Sequence, residues 1–283
     1  MKKVLKNKII CPICSRTTKL NVKLTAVSLY FCNKCNHRFT DPKSIIYTEE
    51  YKNKYFLEAH SNWFKYPDFK LYNSLKNLFK KKISKNFSIL DIGCGNGNFL
   101  KYLSKEFKEI NLTGIDHYKN KKNKRINFLY GDIDKNKKLK KYDVVISIAV
   151  IEHIEDVNKF IKLQKKLCKK NGFIINVTIN ESSFLYRASR ILNFFSISTP
   201  IERLYDKHHL NHFSVDSLTN LYKKNKLKRI TLELSQFNLD ALTLPSKNFF
   251  IKNIYKMLVF FIYKIEKIFK NTNQQAIIFK NQK

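Results

Sequence analysis

The segment SILDIGCGNGNFL, Ser88 to Leu100, constrains the fold more than any other part of the chain. A short apolar run closes around an acid, Asp91, and glycines follow at the alternate positions 93, 95 and 97. The whole chain holds only 6 Gly and 5 Pro in 283 residues, so this concentration is not compositional. Glycine enters backbone conformations closed to other residues and lets a ligand come close to the main chain. Three occupants compete for such a strand-to-helix turn. They are a dinucleotide pyrophosphate, another adenosine cofactor, or no ligand, the turn then being structural.

The segments that follow alternate in period. FSILDI reads as a buried strand, NFLKYLSKEF as a helix, and INLTGID, INFLYGD and YDVVISIAV as strands. DVNKFIKLQKKLCKK reads as an amphipathic helix that carries Cys168 and stops at Asn171-Gly172, before the strand FIINVTI. Strands alternating with helices at this spacing predict an α/β fold, a parallel sheet with helices on both faces. Ligands of such sheets bind beyond the carboxyl ends of the strands, where the glycine turn lies.

The spacing here is G-x-G-x-G, not the G-x-G-x-x-G of dinucleotide sites. Two acids fall in order along the same rim. Asp116 ends the second strand, where a carboxylate can accept from ribose hydroxyls, and Asp132 follows the third, where it can accept from an adenine amine. Ser147 to Val150 end the fourth strand beside the glycine loop.

With these features, residues 87–178 resemble a class I S-adenosylmethionine-dependent methyltransferase. LDIGCGNG, GID, GDI and YDVVISIAVIEHIED carry the resemblance. The branch it is similar to methylates small molecules such as quinone precursors and sugars. The resemblance implies a Rossmann-like, seven-stranded, mainly parallel sheet, with KRITLEL and QAIIFK as its last two, mutually antiparallel strands. It also implies S-adenosyl-L-methionine as cofactor. Gly93, Cys94, Gly95 and Gly97 would offer backbone to its methionine end, and Asp91 would help hold that end. Asp116 with His117 would bind the ribose, Asp132 with Ile133 would frame the adenine, and Ser147 and Ile148 would close the rim. HHLNHFSVDSLTNLYKKNKLK resembles a segment common in this branch, a histidine-containing loop before a helix capped by Ser214.

Six cysteines occur, four of them as CPIC (Cys11, Cys14) and CNKC (Cys32, Cys35). Two C-x-x-C knuckles at this separation match a four-thiolate zinc pattern. Four thiolates close a tetrahedral shell, so the expected role is structural. Cys94 and Cys168 read as packing thiols. The expected domains are a zinc ribbon over 1–45, a helical connector over 46–85 and the methyltransferase domain over 86–283. In the connector Trp63, Phe64, Phe69, Leu71, Leu75 and Leu78 offer an apolar side, and His60 reads as packing.

Net charge is +33, from 55 Lys and Arg against 22 Asp and Glu. It fits phosphate-bearing partners or an anionic membrane, although the lysines are spread along the whole chain. No stretch suits a signal peptide or a membrane span, so a cytoplasmic location is expected. An insertion at about 246–271 places Ile251, Ile254, Leu258, Ile262, Ile265 and Phe269 on one side of a helix. Peripheral membrane contact through 250–270 and packing on the domain or a second subunit both fit this pattern.

Methyl transfer from a sulfonium needs mainly a positioned acceptor, and a hydroxyl acceptor gains from a base. His153, after the fourth strand, is the first candidate, and His208, His209 and His212 form a second set. Glu152, His153 and Asp156 could instead hold a divalent cation that polarises the acceptor oxygen. The expected activity is methylation of a small molecule or glycan, at oxygen, on a sugar, lipid-linked or quinone-like acceptor. An RNA methyltransferase using the ribbon and basic surface is the alternative, although the fourth-strand loop lacks the Asn/Asp-Pro-Pro-aromatic sequence common in enzymes that methylate base amino groups. A non-enzymatic cofactor-binding partner is a third reading.

Overall fold

The computed structural model describes residues 9–45, 65–242 and 248–282. His60, Trp63 and Phe64, with the rest of residues 46–64 of the expected connector, lie outside the described residues.

A small antiparallel sheet runs β1 (Lys19–Lys23), β2 (Ser28–Cys32), β3 (His37–Thr40) and, from far along the chain, β9 (Asn211–His212). The large sheet has seven strands: β4 (Ser88–Ile92), β5 (Asn111–Asp116), β6 (Ile126–Tyr130), β7 (Tyr142–Ile148), β8 (Cys168–Ile179), β10 (Lys228–Ser235) and β11 (Gln274–Lys280). Their order is β10-β11-β8-β7-β4-β5-β6. β8, β7, β4, β5 and β6 are parallel, whereas β11 is antiparallel to both β8 and β10. The expected seven-stranded, mainly parallel sheet is therefore present. The chain leaves β4 toward β5 and returns to β7 on its other side, so the switch point lies at the end of β4.

Successive side chains of a strand face opposite sides. Ile89, Val144, Ile175 and Ile278 pack with α1 (Phe69–Lys80) and α2 (Asn98–Glu106) on one face. Leu90, Val145, Ile174 and Ile277 pack with α3 (Val157–Leu167) and α6 (Val215–Lys224) on the other. Each such fully buried aliphatic side chain contributes about 1.5–3 kcal/mol. Between β8 and β9 run α4 (Phe184–Phe194) and α5 (Thr199–Leu204). Ribbon residues Leu24, Val27 and Leu29 bury against them, with Tyr186, Ile201 and Tyr205.

Three local expectations are corrected. α3 ends at Leu167, and Cys168 begins β8 instead of lying on the helix. Asn171, at φ 62°, is an irregularity inside that strand, held by its amide's hydrogen bond to Asn281 O at 2.7 Å. In α1, Leu71, Leu75 and Phe79 are buried, whereas Phe69 faces solvent. The predicted cap of α6 is present, Ser214 and Ser217 forming a reciprocal capping box.

The insertion forms α7 (Phe249–Ile268). It turns Tyr263 and Glu266 inward, and Glu266 Oε1 accepts from the Leu185 amide at 3.2 Å. Ile251, Ile254, Leu258 and Phe269 of the expected apolar side are exposed, while Ile262 and Ile265 are half-buried. No described helix is long and apolar enough to cross a membrane.

Candidate active site

Gly93, Gly95 and Gly97 have φ of 69°, 53° and 76°, the left-handed region. A Cβ at Gly93 would stand 2.4 Å from Val150 Cγ2, and one at Gly97 2.5 Å from Phe128 Cζ. Only glycine carries the chain between β7 and β6 here. Asp116 Oδ2 accepts from the Gly95 amide at 2.7 Å, and Asn120 Nδ2 donates to the Gly95 carbonyl at 2.7 Å. The loop is thus gripped by the end of β5 and the connector after it. Sequence reasoning missed Asn120, because nothing distinguishes one more asparagine in a lysine- and asparagine-rich linker.

Asp91 is buried under this loop, and its Oδ1 has no hydrogen-bond partner. Burial, and then the nearby Asp116 charge, raise its carboxyl well above the usual range. An orphaned carboxylate oxygen calls for a donor, and the amino group of S-adenosylmethionine fits that need. Asp116 Oδ1 also accepts from the Tyr118 amide at 2.6 Å, which leaves each oxygen a further lone pair. Asp132 lies further along the rim, bonded to Lys135 at 2.8 Å and to His117 Nε2 at 3.1 Å. Ile133 and Ile148 pack partly buried at the two sides of the sheet. Ser147 is turned away: its hydroxyl donates to Asn176 Oδ1 at 2.6 Å inside the core, so only its backbone reaches the rim. Asn176, Gln164 and Tyr222 complete that buried network. Burial raises the Cys94 thiol far above its ordinary range, which suits packing and not nucleophilic attack.

Beyond β7 the chain makes one turn of 3-10 helix, Ile151–His153. His153 Nδ1 lies 2.8 Å from the His208 carbonyl, and its ring meets that of His209 edge-on at 4.8 Å. Ligand atoms of Glu152, His153 and His209 all lie within 4.8 Å of one another. Burial pushes the Glu152 carboxyl up to about 7, and Glu152 Oε2 has no partner. One carboxylate with two imidazoles can relay a proton or hold a divalent cation. Asp156 does not join this group, because its Oδ1 caps α3 at the Lys159 amide. His212 is wholly buried between Thr40 and Tyr205, and His208 lies beside Asp206 with Nε2 at 3.7 Å from Oδ1. Of the expected histidines, His153 and His209 therefore come together, and the His212 ring lies 6.2 Å from that of His209.

Cys11, Cys14, Cys32 and Cys35 converge, their sulfurs within 4.8 Å of one another. A tetrahedral zinc with bonds of about 2.3 Å spaces its sulfurs about 3.8 Å apart. Cys14 Sγ and Cys32 Sγ are 3.6 Å apart, so the soft four-thiol set fits such an ion. Burial pushes the Cys11 thiol up to about 12 when no cation offsets it.

The family model for a methyltransferase domain matches residues 64–232, and the chain belongs to that family. It is a class I S-adenosylmethionine-dependent methyltransferase. It is 33% identical over 186 residues to the ubiquinone biosynthesis O-methyltransferase of Pelagibacter ubique, covering 61% of this chain and 72% of that protein. It is 31% identical over 148 residues to the protein of the same name from Rickettsia bellii, covering 45% of this chain and 61% of that one. A SAM-dependent methyltransferase structure from Archaeoglobus fulgidus is 22% identical, with a TM-score of 0.45 over 74% of this chain and 94% of that one.

Proposed function

We propose that the protein O-methylates a hydroxyl of a small quinone-like acceptor. The observation that carries this reading is the tautomer of His153. A carbonyl only accepts, so the 2.8 Å contact with His208 O places the ring proton on Nδ1 and the lone pair on Nε2. Burial lowers the imidazole below its ordinary range, against an opposing contribution from the His208 hydrogen bond, so it is neutral near pH 7. It is thereby prepared to take a proton from an acceptor hydroxyl. The names of the relatives from Pelagibacter and Rickettsia support the acceptor class.

When bound, S-adenosylmethionine supplies a methyl group on a positive sulfur. Asp91 would receive its amino group, the backbone of Gly93 to Gly97 would face its methionine end, Asp116 would accept from its ribose, and Asp132 with Ile133 would hold the adenine. His153 Nε2 removes the acceptor proton, and the ring's charge is stabilised by Glu152 once that carboxyl ionises. The four ribbon thiolates hold one structural zinc.

The exposed side of α7 rests on an anionic membrane surface, where a lipid-linked acceptor would also partition. Exposed phenylalanines flanked by Lys252, Lys264 and Lys267 support this contact.

The test supplies purified protein and labelled S-adenosylmethionine with separate lipid, small-molecule and RNA fractions. Label is expected on a hydroxylated aromatic in the lipid fraction. Label in RNA alone, or binding without any turnover, overturns the reading. Elemental analysis is expected to find one zinc per chain.

A further inference from the structure

The ribbon and the catalytic turn meet on one short segment, His208 to His212. On its inner side the segment is tied to the end of β7. His208 O accepts from His153 Nδ1, the Leu210 amide donates to Glu152 O at 2.8 Å, and Asn211 Nδ2 donates to Ile154 O at 2.7 Å. On its outer side it is tied to β3 of the ribbon. The Thr40 amide donates to Leu210 O at 2.9 Å, and Thr40 Oγ1 donates to His209 O at 3.1 Å. With that proton spent, Thr40 Oγ1 accepts from His212 Nε2 at 3.3 Å. His37 Nε2 lies 3.2 Å from Asn211 Oδ1, and β3 pairs with β9 through Arg38↔His212 and Phe39↔Asn211.

The second knuckle is itself the turn that leads into β3. Cys32 pairs with His37 in the β2–β3 ladder, and Asn36, at φ 51°, closes the turn between them. Asn36 O accepts from Ser214 Oγ at 2.8 Å, which fixes the far end of the same segment. The glycine loop, by contrast, is held by the end of β5 and by Asn120, with no ribbon residue among the contacts described above.

We infer that the metal-bound ribbon is the positioning element of the acceptor side. Through Thr40 it clamps His208–His212 against Glu152–Ile154, so ribbon integrity governs acceptor turnover and leaves cofactor binding untouched. Thr40 is a positioning residue, acting through the His208 and His209 backbone on His153. This inference rests on the proposed role of His153 only for its kinetic arm.

The 283-residue chain is compared with Thr40→Val, Thr40→Ser and Cys14→Ser. Amide exchange is followed at 206–213 and at 92–100, and S-adenosylhomocysteine affinity is measured by calorimetry. Thr40→Val and Cys14→Ser are expected to speed exchange at 206–213 about tenfold, the scale of one lost hydrogen bond. Exchange at 92–100 and the cofactor-product affinity should stay within about twofold. Turnover of the hydroxyl acceptor should fall about tenfold in Thr40→Val and return in Thr40→Ser. Unchanged exchange at 206–213, or loss of cofactor affinity in step with turnover, overturns the inference. If the wild type methylates no hydroxyl acceptor, the proposed function fails, while exchange and calorimetry still decide the clamp.

Discussion

His153 donates from Nδ1 to the carbonyl oxygen of His208, 2.8 Å away across the gap between the β7 turn and the ribbon-bound segment. That single bond sets which nitrogen carries the proton and leaves the lone pair on Nε2, within the cluster that His153 forms with Glu152 and His209. Burial, the dominant influence, lowers the ring below the ordinary histidine value of 6.5. The unprotonated form is the active base, so kcat/KM should rise with pH through a midpoint below 6.5, with a further rise near pH 7 as Glu152 ionises. His153→Ala should lower kcat by about 10²–10⁴ and leave S-adenosylhomocysteine affinity unchanged. A profile with no rise through a midpoint below 6.5, or a variant within a few fold of wild type, removes His153 as the base.

Asp91 gives a second, independent pH signature, this one in stability. Its folded-state carboxyl is raised above the ordinary 3.8, first by burial and then by Asp116. The folded protein therefore binds more protons than the unfolded chain between 3.8 and the raised value. The associated stability is complete below 3.8 and is lost as pH rises through the folded value. Asp91→Asn removes that titration. The cofactor-free variant should gain melting temperature relative to wild type as pH rises from 4 toward 8. Its S-adenosylmethionine affinity should drop about tenfold or more, since a charge-assisted hydrogen bond is lost. Parallel melting curves at every pH would refute the buried-carboxyl account.

Much of this arrangement was legible in the sequence because it is local. SILDI and YDVVISI are mainly apolar, strand-length runs, the glycines of 93–97 sit in one turn, and the C-x-x-C pairs fix their own geometry. What stayed hidden depends on distant pairing or on orientation. β9 is two residues long and finds β3 across some 170 positions, so no periodicity announces it. Ser147 lies in a strand buried on both faces, where alternation does not reveal which way a side chain turns. Asn171-Gly172 has the composition of a helix stop, yet the backbone there continues as strand with one left-handed residue. Asp156, close in sequence to His153, caps a helix, and His209, distant in sequence, takes the place beside it.

The backbone of the cofactor loop can be tested at Gly97. Alanine there must hold φ near 76°, at about 1–2 kcal/mol, and its Cβ would press on Phe128 at 2.5 Å. Gly97→Ala should lower stability by at least the backbone share and weaken cofactor binding. Adding Phe128→Ala relieves the contact and not the dihedral. A double-mutant cycle read by chemical denaturation should therefore show a coupling of about 0.5 kcal/mol or more. Strict additivity would mean that Phe128 moves aside freely.

The exposed helix α7 makes the last prediction. Phe250 is 77% and Phe261 57% exposed, and both lie on the side turned from the domain. Lys264 and Lys267 flank that side toward the end of the helix. Each lysine near an anionic surface contributes about 1 kcal/mol, and buried aromatic area adds to it. The protein should sediment with vesicles containing phosphatidylglycerol, weakly with purely zwitterionic ones, and less in high salt. Phe250→Ser with Phe261→Ser should reduce the bound fraction about tenfold or more, given the apolar area removed from contact. Because these side chains face away from the core, the melting temperature should stay near that of wild type. Equal binding to both vesicle types would leave charge without a role. A concentration-dependent dimer that both substitutions abolish, with no vesicle binding, would assign the same face to a second copy of the chain.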